Sequence, residues 1–307
     1  MYSLSPENLL QLGGLQLRSL GLRVDRIELA IGPRTVPGLA FPESLTSLSL
    51  AHPAEPGLLS VLPTGLQGLW LDTVMGDPAE GPGSLFSGMA RLQSLTSLEI
   101  SNRLSVSWPP VGPAYSAFTA SSNLVELKVV GDCPAGVWRH VFPAARKLPH
   151  LTLLQVSSET RGPAAVHGLR AAAWDVEALS CLVRCCPSLQ SIVGMQLQHG
   201  MHLHVSELCK LTALTGLMVY YAPSSTESAG EYLKALSALT QLRVLRMNSR
   251  DVDMADFKLL PLTSLTALTS LELGCTPADR VRFVGADSDE EPLCVRLQQV
   301  SLGCCTG

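Results

Sequence analysis

One six-residue frame, Leu-x-x-Leu-x-Leu, recurs from end to end of this chain and constrains its folding more than any other feature. It reads LTSLSL from Leu45, LQGLWL from Leu66, LTSLEI from Leu95, LVELKV from Leu124 and LTLLQV from Leu151. It continues as LTGLMV from Leu214, LRVLRM from Leu242, LTSLEL from Leu268 and LQQVSL from Leu297. A weaker copy, VDRIEL, starts at Val24 and a degraded one, LQSIVG, at Leu189. Counted from Val24, the steps are 21, 21, 29, 29, 27, 38, 25, 28, 26 and 29 residues. The last two apolar positions are two apart, the period of a strand, so Leu271 and Leu273 share one face while Glu272 takes the other. Leu98 and Ile100 flank Glu99 in the same way, and Leu127 and Val129 flank Lys128. One short strand cannot bury its apolar face alone. Stacked copies can, as a parallel sheet with a continuous leucine side.

About twenty residues remain in each unit to return the chain to the same edge, enough for a loop and a short helix. Ser84–Ser94 places Leu85, Met89 and Leu92 at helical spacing. Ser228 to Glu231 has the form of a capping box, followed by Tyr232, Leu233, Leu236 and Leu239 on one helical face. Asp175–Cys186 carries Val176, Leu179, Leu182 and Val183 in that rhythm, and Pro187 ends it. The two 21-residue units, rich in Pro and Gly, predict turns or single 3₁₀ turns instead. Trp108, in the irregular stretch SVSWPPVGP, is expected to pin that excursion to the body. An amphipathic helix bundle is excluded because the period changes inside every unit.

Fixed-period self-similarity of this kind resembles the leucine-rich repeat from about residue 17 onwards. The resemblance implies an α/β solenoid: a curved horseshoe with a parallel sheet on its concave face and short helices and turns on its convex face. Residues 1–23 read as a degenerate first repeat or N-terminal cap. There LRSLGL, from Leu17, overlaps the frame at Val24, and only one of the two can be the strand. Residues 24–307 read as an array of about ten to eleven units, with an insertion near 161–173 inside the 38-residue step. Proteins of this family are typically binding scaffolds that hold a protein ligand on the concave sheet or adjoining loops. The run Cys185-Cys186-Pro187-Ser188-Leu189-Gln190-Ser191-Ile192 looks like the cysteine-containing subtype of cullin-type ubiquitin ligase adaptors, although no F-box-like segment precedes the repeats. The Ala, Gly, Pro and Leu usage with LTSL frames also resembles algal-type repeat proteins, some of them axonemal. The array also resembles that of the repeat-type GTPase activators, whose units are strictly 28 residues.

Composition narrows the function classes. The formal charge is −4, from 26 acidic and 22 basic residues, with no basic block, so a nucleic-acid partner is not expected. No apolar run of about eighteen residues is present, so no membrane span is expected. The nine cysteines are odd in number and scattered. With no Asn-x-Ser/Thr sequon and no secretory-type start, they read as free thiols of a reducing compartment, and the expected location is cytoplasmic.

No nucleophile elbow, phosphate loop or paired-acid motif appears, so no catalysis and no cofactor are expected. His199, His202, His204 and Cys209 have zinc-capable side chains but no accompanying Cys-x-x-Cys pair, and no metal is assigned. The expected functional surface is the outward face of the strands. Its candidate protein-binding residues are Trp70, Glu99, Lys128, Gln155, Met218, Tyr220, Arg246 and Glu272. Glu28, Ser49, Val193 and Ser301 occupy the same frame position. Asp72, Ser101, Val130, Ser157, Asn248 and Gly274 follow two residues on, at the position of Tyr220. Trp, Met, Tyr and Arg are side chains that concentrate binding energy at interfaces.

Overall fold

A computed structural model of the chain describes residues 16–22, 41–50, 59–72, 86, 88–101, 108, 111–131, 133–157, 174–197, 202–221, 226–249, 260–275 and 299–304. The chain divides into two compact units, Met1–Ala172 and Ala173–Gly307. The 161–173 insertion lies outside the described residues, at the division.

In the first unit the strands are β1 (Ser19–Leu22), β2 (Ser47–Leu50), β3 (Gly68–Asp72), β4 (Ser97–Ser101), β5 (Glu126–Val130) and β6 (Leu153–Ser157). Each pairs in parallel with the next. The second unit repeats the pattern with β7 (Ser191–Leu197), β8 (Gly216–Tyr221), β9 (Val244–Ser249), β10 (Ser270–Cys275) and β11 (Gln299–Cys304), again parallel throughout. Every described strand falls on a copy of the frame, β7 on the degraded LQSIVG. Both units are therefore α/β repeat stacks of the leucine-rich type. The first strand settles the overlap near the N-terminus: the frame at Leu17 forms β1, while Val24 and Glu28 lie outside the described residues.

Two hydrogen-bond systems explain why the frame folds this way. The N–H of its first leucine closes a turn on the carbonyl three residues back, as in Leu95 to Leu92, Leu151 to Leu148, Leu214 to Leu211 and Leu268 to Leu265. The residue three before the frame is often another leucine because its side chain is buried at that turn, as Leu92, Leu148, Leu211, Leu239 and Leu265 are. The carbonyl of the frame's second residue then accepts two N–H groups from the following repeat. Gln67 O, for example, accepts from Thr96 N–H at 2.8 Å and Ser97 N–H at 3.0 Å. Where the second residue is threonine, its hydroxyl joins the same carbonyl. Thr46, Thr96, Thr152, Thr215 and Thr269 donate to Arg18, Gln67, Val125, Gln190 and Arg243 at 3.0–3.5 Å. Threonine thus ties each of these repeats to its predecessor where an LTSL pattern alone would suggest only a polar filler. These hydroxyls are exposed to competing water, so each bond is expected to be weak. Thr96→Val keeps the branched shape, and a urea midpoint should report a loss of about 0.5–1 kcal/mol. No loss would remove the hydroxyl from the account of the frame.

Beneath the sheet the frame leucines are buried: Leu45, Leu48, Leu66, Leu69, Leu98, Leu127 and Leu154 are each 0% exposed. Burial of each such side chain contributes about 1.5–3 kcal/mol before chain entropy is offset. The return segments cover this side. In the first unit they are 3₁₀ turns at Met89–Arg91 and Pro113–Thr119, and a single helical turn, α1 (Trp138–Val141). Of the predicted Ser84–Ser94 helix, Phe86 is helical and Met89–Arg91 forms a 3₁₀ turn, with Met89 and Leu92 buried. Trp108 packs within 6.4 Å, centroid to centroid, of both Tyr115 and Phe118, and Phe86 meets Phe118 edge-on at 4.8 Å.

In the second unit α2 (Val176–Cys185) starts where Asp175 accepts a hydrogen bond from the Ala178 N–H at 2.7 Å. It ends at Cys186, which lies outside the helical region, with φ of −122° and ψ of 64°, before Pro187. Its buried face is Ala178, Leu179, Cys181, Leu182 and Cys185. Val176, predicted on that face, stands 42% exposed because it sits in the first turn, beyond the covered part of the helix. After α3 (His202–Val205), α4 spans Thr226–Leu236. Ser228 lies inside α4, so the expected capping box at Ser228 does not form the helix start. Tyr232, Leu233 and Leu236 are buried as anticipated, whereas Leu239 is buried beyond the helix, in the turn that leads to Leu242.

Candidate protein-binding face

The parallel register lines up the frame's fifth residues in columns on the open side of each sheet. In the first unit the column runs Gly21, Ser49, Trp70, Glu99, Lys128, Gln155. Ser49 is exposed and the next four are half-buried, while the residues flanking them along each strand, such as Leu98 and Ile100, are sealed. In the second unit the column runs Val193, Met218, Arg246, Glu272, Ser301. The predicted set therefore divides between the units: Trp70, Glu99, Lys128 and Gln155 in one, Met218, Tyr220, Arg246 and Glu272 in the other.

Within the first column Trp70 leans back over its own strand. A Cβ built on Gly68 would lie 2.7 Å from the indole Cη2, so glycine is what leaves room for the ring there. Neighbouring strands are about 4.8 Å apart, which places Glu99 directly beside Trp70 on the next strand. Lys128 follows Glu99 in register, but its ammonium lies 3.8 Å from Glu126, two residues back on the same strand. Glu126 was not among the expected residues, although its spacing of two from Lys128 puts it on the same side.

In the second unit Arg246 and Glu272 face each other across β9 and β10, with Nε 3.0 Å from the carboxylate. Both remain substantially exposed, at 51% and 36% of their side chains, so the pair adds little stability. This adjusts the expectation that Glu272 simply faces water. Glu272→Lys would set two cations opposite each other and is expected to cost about 0.5–1 kcal/mol by urea unfolding. A far larger loss would mean the residue is not on the open face.

The positions two residues further on behave less uniformly. Asp72 and Ser157 are half-buried, but Ser101 and Val130 are buried, at 3% and 6%. For Val130 the cause is local. The chain leaves the sheet at Gly131, whose φ of +120° suits glycine and whose N–H binds the Ser157 carbonyl. The residues that follow Ser101 lie outside the described set. In the second unit the column is Gln196, Tyr220, Asn248, Gly274. Gln196 enters it because a bulge at Gly194, with φ of +82°, shifts the register by one residue. The glycine ending LQSIVG was the only sign of this in the sequence.

No group of three His, Cys, Asp or Glu side chains able to hold a metal occurs among the described residues, and His199 lies outside them. Cys209 donates its S–H to the Ala238 carbonyl. Burial, and then the neighbouring Cys185, push the Cys186 thiol far above its ordinary range, so it remains a protonated, weakly nucleophilic core group at neutral pH. Among the described residues no helix is long and apolar enough to cross a membrane.

No protein-family model and no curated protein matches this sequence. Among solved structures the chain is similar to one in the crystal structure of the mouse RP105/MD-1 complex, at 14% identity and a TM-score of 0.30. That similarity covers 86% of this chain, which spans about half, 52%, of the mouse one. The fold assignment rests on the strand register and the burial of the frame leucines.

Proposed function

We propose that this chain is a non-enzymatic protein-binding scaffold that presents the open sheet face of its repeats to a protein partner. The observation that carries the reading is the in-register column of half-exposed Trp70, Glu99, Lys128 and Gln155, with Met218 and Arg246 at the same position in the second unit. A parallel sheet whose reverse side is packed with leucine offers a rigid platform, and rigid presentation lowers the ordering cost of binding. Large side chains of hot-spot type on that platform are suited to recognition. The five described cysteines that are free thiols support a reducing, cytoplasmic setting. A GTPase-activating role would need an unrestrained guanidinium. Arg246, the outward arginine of this column, is engaged by Glu272. The vicinal cysteines that suggest a ligase adaptor are both buried and act as core.

The test is affinity capture from native cytosol with mass spectrometry, comparing the wild-type chain with Trp70→Ala and Met218→Ala separately. Each variant probes one unit. Loss of a reproducible partner in either places the contact on that unit's face. Identical partner sets for all three proteins would remove the open face as the binding surface.

A further inference from the structure

Resting on that reading, we infer that the first unit's face takes an arginine-bearing, basic segment of a protein, with the guanidinium stacked on Trp70 and paired to Glu99. The argument starts from charge. Among the described residues the open face of this unit carries the carboxylates of Glu99 and Glu126 against the ammonium of Lys128. Lys128 sits by Glu126, and no cation lies within ion-pair distance of Glu99 among the described residues.

Geometry makes that imbalance decisive. Trp70 and Glu99 are register partners on adjacent strands, so a partner that covers the indole also covers the carboxylate. Burying an unpaired carboxylate is expensive, and a wholly apolar partner would bear that cost in full. An acidic partner would add repulsion. A cation relieves both, and it gains the indole face as well. On the other side of Trp70 stands Ser49, exposed and too small to obstruct an incoming side chain. Arginine fits better than lysine because its planar guanidinium can stack on the ring and hydrogen-bond a carboxylate at once.

The experiment measures fluorescence anisotropy of short labelled Gly/Ser peptides carrying arginines, lysines or glutamates against the full chain at constant salt. The arginine peptide is expected to bind more tightly than the lysine peptide, and the glutamate peptide not to bind. Trp70→Ala and Glu99→Gln should each weaken arginine-peptide binding about two- to fivefold. Glu99→Gln should leave the urea midpoint unchanged, and Trp70→Ala should lower it only modestly because the indole is half-buried over Gly68, so both variants are titrated folded. Unchanged affinity in both variants, preference for the glutamate peptide, or no arginine-peptide binding would overturn the inference. Failure of the underlying reading has a different signature: cytosolic partners that survive Trp70→Ala and Met218→Ala alike.

Discussion

Leu271→Asp is expected to unfold the repeat that carries it, lowering the stability of the second unit by at least about 5 kcal/mol. Leu271 is 0% exposed and sits on β10 between Leu245 of β9 and Val300 of β11. Removing the leucine from a packed stack leaves a cavity, which alone costs about 2–5 kcal/mol. The aspartate then has to be buried without a partner, or the strand must detach to hydrate it. Either outcome spreads, because a repeat derives much of its stability from its neighbours. Amide exchange would show the damage as lost protection across β9–β11, and urea unfolding as a large drop in midpoint. Glu272→Lys, one residue along the same strand, supplies the contrast. If the two variants unfold alike, the inward and outward assignments of the frame are wrong.

The second large effect is expected at Gly88, which no motif marks. A Cβ there would lie 2.6 Å from the Leu59 carbonyl carbon, 2.7 Å from the Ser60 nitrogen and 2.8 Å from the Leu59 oxygen. These are backbone atoms of the preceding repeat and cannot rotate away as a side chain would. The φ and ψ of Gly88, −61° and −36°, are open to any residue, so the requirement here is space alone. Nearby, Arg91 Nη1 donates to the Ser60 carbonyl, tying the same two repeats together. Gly88→Ala should therefore cost about 1–3 kcal/mol, and Gly88→Val more, because the stacking distance itself must widen. Gly65 is the control: its added Cβ would meet nothing within 4 Å. Equal urea midpoints for Gly88→Ala and Gly65→Ala would show that the repeats do not pack this closely.

The Gly88 case shows where local reading stops. The leucine periodicity was legible because burial imposes a period of two on a strand, and the stacking of identical units repeats it. The outward positions followed by subtraction, which is why Trp70, Glu99, Lys128, Gln155, Met218 and Arg246 could be placed before any register was known. Errors gathered where spacing alone does not report what covers a residue or where a strand bulges. Val176 has helical spacing yet lies past the covered face of α2, and Val130 alternates correctly yet is buried by the turn at Gly131. The Gly194 bulge, which brings Gln196 beside Tyr220, belongs to the same class.

By itself the sequence determined a stack of parallel strands with leucine on one side and mixed polar and aromatic residues on the other. Side-chain alternation and repeat spacing are properties of neighbouring residues, so they need no tertiary information. The tertiary structure alone decided which residues become partners: Arg246 with Glu272, Lys128 with Glu126, and Trp70 beside Glu99 with Gly68 beneath it. It also decided that the frame's threonines bind a carbonyl one repeat earlier. Except for Lys128–Glu126 and Trp70–Gly68, each of these relations joins residues one repeat apart in the chain. Only the strand register fixes the few ångströms that separate them.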